Sequence, residues 1–148
     1  QATSRFLRDL SMYETSQHLE MKKALGLTVE HLGGLDYVDS QKENKLIATE
    51  LYDPLYVYAS TKENRDLVLK SLSSTNVSGR YQILKPRKNA YFGEGQPLYQ
   101  DGWPTISFIG MPLALCQMAS PITEPDIKSM FDQTKLIFQI LVASDHQF

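Results

Sequence analysis

Leu55-Tyr56-Val57-Tyr58-Ala59-Ser60-Thr61-Lys62-Glu63, continued through Leu67-Val68-Leu69 and Leu72 to Tyr81-Gln82-Ile83-Leu84, is the stretch on which the fold class turns. Its first five residues are apolar, aromatic and β-branched, a composition suited to a pleated strand. Ser60 and Glu63 then stand at the spacing of a capping box, in which each side chain satisfies a backbone N–H at the start of a helix. The helix expected over the following leucines should fade in the Ser/Thr/Asn cluster at 73–76, and Tyr81–Leu84 returns to strand character. Strand, helix and strand in succession indicate an α/β protein.

Upstream, Tyr37–Asp39 and Lys45–Leu51 read as two strands joined by the polar turn Ser40-Gln41-Lys42-Glu43-Asn44, and Asp53-Pro54 breaks the second of them from Leu55. Ala24–Val29 shows little polarity on either face, as an interior strand covered on both sides would, and Gly33-Gly34 should end it. Phe6, Leu7, Leu10 and Tyr13 recur at helical spacing within residues 3–20. Downstream, Gly93, Gly95 and Gly102 with Pro86, Pro97 and Pro104 mark residues 85–104 as a long loop, and Thr105–Gly110 as the strand after it. Thr123-Glu124-Pro125-Asp126 has capping-box spacing again, and Ile127, Met130, Phe131, Ile137, Phe138 and Leu141 define a final helix whose apolar stripe is expected to face the core. The expectation is one α/β domain over 1–148. Its sheet is mixed and mostly parallel, with the 37–51 hairpin as the source of the mixing, and is covered by helices.

Composition narrows the function. The chain has 148 residues, 42% hydrophobic and 22% charged, which is ordinary for a globular domain. A net charge of −2 gives no electrostatic reason to expect nucleic acid; Lys85, Arg87 and Lys88 around Pro86 read as a solvated loop. The single cysteine, Cys116, allows no internal disulfide and no multi-cysteine metal cluster; it reads as a small buried hydrophobe. No run reaches the roughly 18–20 apolar residues that span a bilayer. The first residues lack both an initiator methionine and a signal peptide's apolar stretch, as expected of a processed chain or a piece of a longer one.

Two segments can carry chemistry. In Leu27-Thr28-Val29-Glu30-His31-Leu32-Gly33-Gly34, Glu30 and His31 point to opposite faces of a strand, so they do not bind one metal together. Glu30 falls at a strand's carboxyl end, where ligands bind in open α/β sheets; it is either a ligand or a surface carboxylate, and His31 either a pocket residue or a partly buried imidazole with a partner. In Phe92-Gly93-Glu94-Gly95-Gln96-Pro97-Leu98, glycines flank Glu94 and allow close backbone approach, for a binding loop or for a tight turn with a solvated carboxylate.

The same segments carry a resemblance. Val29-Glu30-His31-Leu32-Gly33-Gly34, a strand-helix-strand unit, then Phe92-Gly93-Glu94-Gly95-Gln96-Pro97-Leu98 and Gly102-Trp103-Pro104-Thr105-Ile106-Ser107 resemble, in order and spacing, the C-terminal half of the di-zinc aminopeptidase (zinc exopeptidase) superfamily. The likeness runs over roughly residues 20–142. It implies a three-layer fold, and a pair of zinc ions that activate a bridging water to attack a peptide carbonyl. By position it implies Glu30 as a zinc ligand, and His31, Glu94, Gly95 and Trp103 as residues of the substrate pocket. The chain departs from the family where most ligands should stand. It has neither a His-x-Asp motif nor a Glu-Glu pair, and no His in Leu115-Cys116-Gln117-Met118-Ala119-Ser120-Pro121; Ser144-Asp145-His146 comes too late in the order. A zinc site needs three or four ligands, and neither a His-Glu-x-x-His helix nor a Gly-x-Ser-x-Gly elbow offers another chemistry.

Two expectations follow. The chain is a fragment or degenerate relative of a zinc aminopeptidase-type hydrolase, acting on peptides only when its metal centre is completed; or it is a non-catalytic α/β module kept for interaction. On either, an incomplete sheet should leave apolar surface that favours a homo-oligomer or an upstream half as partner.

Overall fold

The computed structural model describes residues 2–17, 25–40, 45–85, 93–110 and 126–145. In chain order its elements are α1 (Ala2–Gln17), β1 (Gly26–Glu30), β2 (Leu35–Ser40), β3 (Lys45–Tyr52), β4 (Leu55–Ala59), α2 (Lys62–Ser74), β5 (Tyr81–Leu84), α3 (Gln96–Gln100), β6 (Thr105–Gly110) and α4 (Ile127–Asp145). Cys116, Thr123, the basic residues Arg87 and Lys88, and His146 lie outside the described residues.

β4 and β6 form the centre of a four-stranded sheet of order β1-β6-β4-β5. β1 runs parallel to β6 and β5 parallel to β4, while β4 and β6 are antiparallel, so the protein is mixed α/β with a mostly parallel sheet. The mixing comes from the β4–β6 pair and not, as the sequence suggests, from the 37–51 hairpin. That hairpin forms its own two-stranded sheet, β2–β3, irregular between Leu35 and Tyr37. Arg80 fastens its base: Nη2 donates to Asp36 Oδ2 at 2.6 Å and to the Tyr52 carbonyl at 2.7 Å.

Side-chain alternation divides the sheet into two faces. The registers Val57↔Phe108 and Ala59↔Ile106 put those four residues on one face, with Leu55 in line. α2 and α4 cover that face, contributing Leu67, Val68, Leu136, Ile137 and Ile140 to the buried cluster. The cluster holds nine buried apolar side chains. At about 1.5–3 kcal/mol each, they outweigh any single polar contact, worth about 1 kcal/mol. Every residue of β6 is buried, as a central strand covered on both faces requires.

β1 departs from the sequence reading. Its composition suits an interior strand, yet among the described strands it pairs only with β6 and stands at the sheet's edge, with Val29 exposed. The cap of α2 also moves by one residue: the Thr61 hydroxyl, not Ser60, accepts the Asn64 N–H at 3.1 Å. Ser60 holds the sheet instead, its hydroxyl accepting the N–H of buried Thr105 at 2.7 Å. α4 is capped by Asp126, whose Oδ1 accepts the Ser129 N–H at 2.7 Å.

Candidate functional site

Glu30 is the last residue of β1, on the face opposite the α2–α4 layer, in line with Thr28. Thr28 and Ser107 share a 2.6 Å hydrogen bond between their hydroxyls on that face. The backbone turns sharply after Glu30. His31 adopts a left-handed conformation at φ 53°, Gly33 follows at φ 79°, and the His31 carbonyl lies so close to Gly110 that a Cβ there would strike it. The His31 imidazole itself is exposed. α4 braces this turn from below: buried Gln133 accepts the Gly33 N–H at 2.8 Å, and the Asp126 N–H donates to the Gly33 carbonyl at 2.8 Å.

The Gly93–Gly95 turn arrives at Glu30 from 64 residues along the chain, and the Glu94 N–H donates to Glu30 Oε1 at 2.6 Å. Gly93 has φ 82°, and a Cβ there would overlap the Glu30 carboxylate. Both facts demand glycine at 93: the backbone conformation, and the space the carboxylate occupies. The Glu94 side chain is exposed, whereas Gly95 is buried at the start of α3.

From there the segment crosses β1 toward its other end. A Cβ on Gly26 would meet Leu98 Cδ1 at 3.1 Å, so Leu98 lies on the face that carries Glu30, and the Gly26 N–H bonds the Pro104 carbonyl at 2.8 Å. Residues 93–104 therefore run from the carboxyl end of β1 to its amino end, with α3 between, and α1 packs on α3. Trp103 is buried at the far end, its indole N–H on Asp101 Oδ2 at 3.0 Å. The four steps along the strand from Gly26 to Glu30, at about 3.3 Å each, put roughly 13 Å between its neighbourhood and Glu30.

The structure thus joins two of the sequence candidates directly, Glu30 and Glu94, through a carboxylate and a backbone amide. His31 follows Glu30 around the turn, Gly95 sets the start of α3, and Trp103 anchors the opposite end of the same segment. The sequence marks Gly93 as a place of close approach without showing its partner, and Gln133 escapes it. Gly93 acts through the space beside it, which only its partner reveals. Gln133 had a signal, as a polar residue among the buried positions of α4.

No protein-family model, curated protein or solved structure matches this chain. Among the described residues, no three of His, Cys, Asp and Glu gather closely enough to hold a metal ion. Glu30 offers one carboxylate, one of whose oxygens already accepts the Glu94 amide. A zinc ion needs three or four donors, so the described residues of this chain do not by themselves fit one.

Proposed function

We propose that this chain is the C-terminal part, or a degenerate relative, of a zinc aminopeptidase-type hydrolase domain, with a metal centre that its own described residues leave incomplete. The observation that carries the reading is the meeting of Glu30 with the Gly93–Glu94 turn at the carboxyl end of β1. These are the two segments that resemble the family, and ligands in open α/β sheets bind at that end of the strands. Support also comes from β1, a strand of interior composition with one side open among the described strands. Further strands added there would continue the sheet toward a three-layer domain and bring donors to Glu30. On this reading Glu30 is the metal ligand, and His31, Glu94, Gly95 and Trp103 belong to the substrate side.

The test compares this chain with a longer product of its own gene that includes the preceding sequence. Zinc per chain is measured by plasma mass spectrometry after dialysis, and amino-terminal hydrolysis with aminoacyl p-nitroanilides. The expected result is zinc and activity in the longer product, both lost in Glu30→Ala, and no stoichiometric zinc in the 148-residue chain. A longer product without His-x-Asp or Glu-Glu, and without zinc or hydrolysis, sinks the enzyme reading. The alternative, a non-catalytic interaction module, is favoured by one observation: the outer face of α4 is apolar and exposed.

A further inference from the structure

α4 carries two apolar stripes. One is buried against the sheet. The other, on nearly the opposite side of the helix, is exposed: Ile127 by 81%, Phe131 by 68% and Phe138 by 61%, with Leu141 and Val142 also open. Ile127, Phe131, Thr134, Phe138, Leu141 and Asp145 follow one another at intervals of four and three, the spacing of a coiled-coil seam. A helix that needed only to cover its own core would place polar residues there.

The pattern also states what the seam fits. Ile127 and Val142 stand equally far from the midpoint between Thr134 and Lys135, and so do Phe131 and Phe138. Reversing the direction of the helix leaves these four apolar positions unchanged, while Leu141 falls opposite Lys128 at the edge of the contact. An isologous contact has that requirement, that residue i meets j while j meets i. From their fractional exposures, the five apolar side chains offer roughly 600 Å² per copy, taking about 150–250 Å² for a whole aromatic side chain. Two copies then bury at most about 1,200 Å², which reaches the lower bound for a specific interface.

We infer that α4 pairs antiparallel with α4 of a second copy of this chain, Phe131 of each packing on Phe138 of the other. The flanking charges modulate the pairing. Lys128 is engaged within its own copy, 3.7 Å from Asp132 and over the Tyr52 ring. Lys135 is exposed beside the midpoint, so two of them approach across the axis. Their repulsion weakens the dimer, and salt screens it.

Sedimentation velocity over a concentration series tests the inference. The expected dissociation constant is on the order of 10 μM, as suits an interface of this size. Raising the salt, or Lys135→Gln, tightens it by about two- to five-fold. Phe131→Glu and Phe138→Lys each weaken it at least about tenfold. Both side chains are exposed, so circular dichroism should show each variant folded. Combining the two substitutions restores the dimer, because the new carboxylate at 131 faces the new ammonium at 138 across the axis. A wild-type chain that stays monomeric to about fifty times the expected constant overturns the pairing and leaves the stripe to another partner. So does a dimer that survives either single substitution, which places the contact elsewhere. A double variant that stays monomeric overturns the antiparallel register.

Discussion

Gly93 and Gly102 form a natural control pair at the scale of single residues. Both hold a left-handed backbone, at φ 82° and 85°, but a Cβ at Gly102 meets nothing within 4 Å whereas one at Gly93 overlaps the Glu30 carboxylate. Gly102→Ala should cost only the backbone strain, about 1 kcal/mol. Gly93→Ala should cost more, about 2–4 kcal/mol, because it also displaces Glu30 and breaks the bond to the Glu94 amide. Urea denaturation measures both, and Gly93→Ala should recover much of the excess in a Glu30→Ala background. Equal costs at 93 and 102 would show that the carboxylate yields freely. Tyr81 supplies a second residue-scale prediction. Burial first, and the nearby Asp132 carboxylate second, push its phenol up from 10.0 to about 12. The raised value means the folded state keeps its proton while the unfolded chain loses it. The associated stability is complete below pH 10 and lost as pH rises from about 10 to 12. The full shift would correspond to about 3 kcal/mol, which the partial exposure of the ring reduces to about 1 kcal/mol. Tyr81→Phe should flatten the pH dependence of the unfolding midpoint over that interval; an unchanged slope would assign it to another group.

Ser60 and Thr61 show, among the elements, how a correct local signal can hide two jobs. The capping-box spacing at Ser60–Glu63 announces a helix start, and the helix is there, but Thr61 caps it and Ser60 serves Thr105 in β6. Thr61→Ala should cost about 1 kcal/mol, the worth of a cap. Ser60→Ala should cost as much or more, about 1–3 kcal/mol, since it strands the N–H of a fully buried residue. Thermal unfolding of the two variants decides the order; a smaller cost at Ser60 would mean that Thr105 finds another acceptor. Strands and long helices were legible in the sequence because their periodicity is set by burial on one face. α3 was not, since five residues with a proline at the start carry no period. The hydrophobic spacing of α4 puts Ile127, Phe131, Phe138 and Leu141 in a core-facing stripe, yet all four are exposed, because spacing alone does not tell which of two faces meets the core. Gly93, Gly95 and Glu94 were legible as a place of close approach. What they approach depends on a hydrogen bond to Glu30 across 64 residues, and no local pattern encodes that.

The sheet as a whole is asymmetric, and the asymmetry bears on function. β6 is buried end to end, while β1, apolar enough for the same treatment, has a single neighbour among the described strands. An edge strand of that composition invites another strand, because its outward N–H and C=O groups lie in register for pairing. If further strands complete the domain, they dock there and carry donors toward Glu30 at the strand's carboxyl end. Hydrogen exchange separates the possibilities without reference to activity. In the 148-residue chain, amides of β6 should be the slowest, since opening them requires breaking the centre of the sheet. Within β1, alternate amides that face β6 should be protected and those facing outward should exchange quickly. The fast class should stay fast when concentration rises, because the proposed second copy docks on α4 and not on β1. In a longer product that supplies the adjoining strand, the same amides should slow by several orders of magnitude. Uniform protection of β1 in the short chain would mean that its edge is already covered and that no further strand is needed to complete the sheet there.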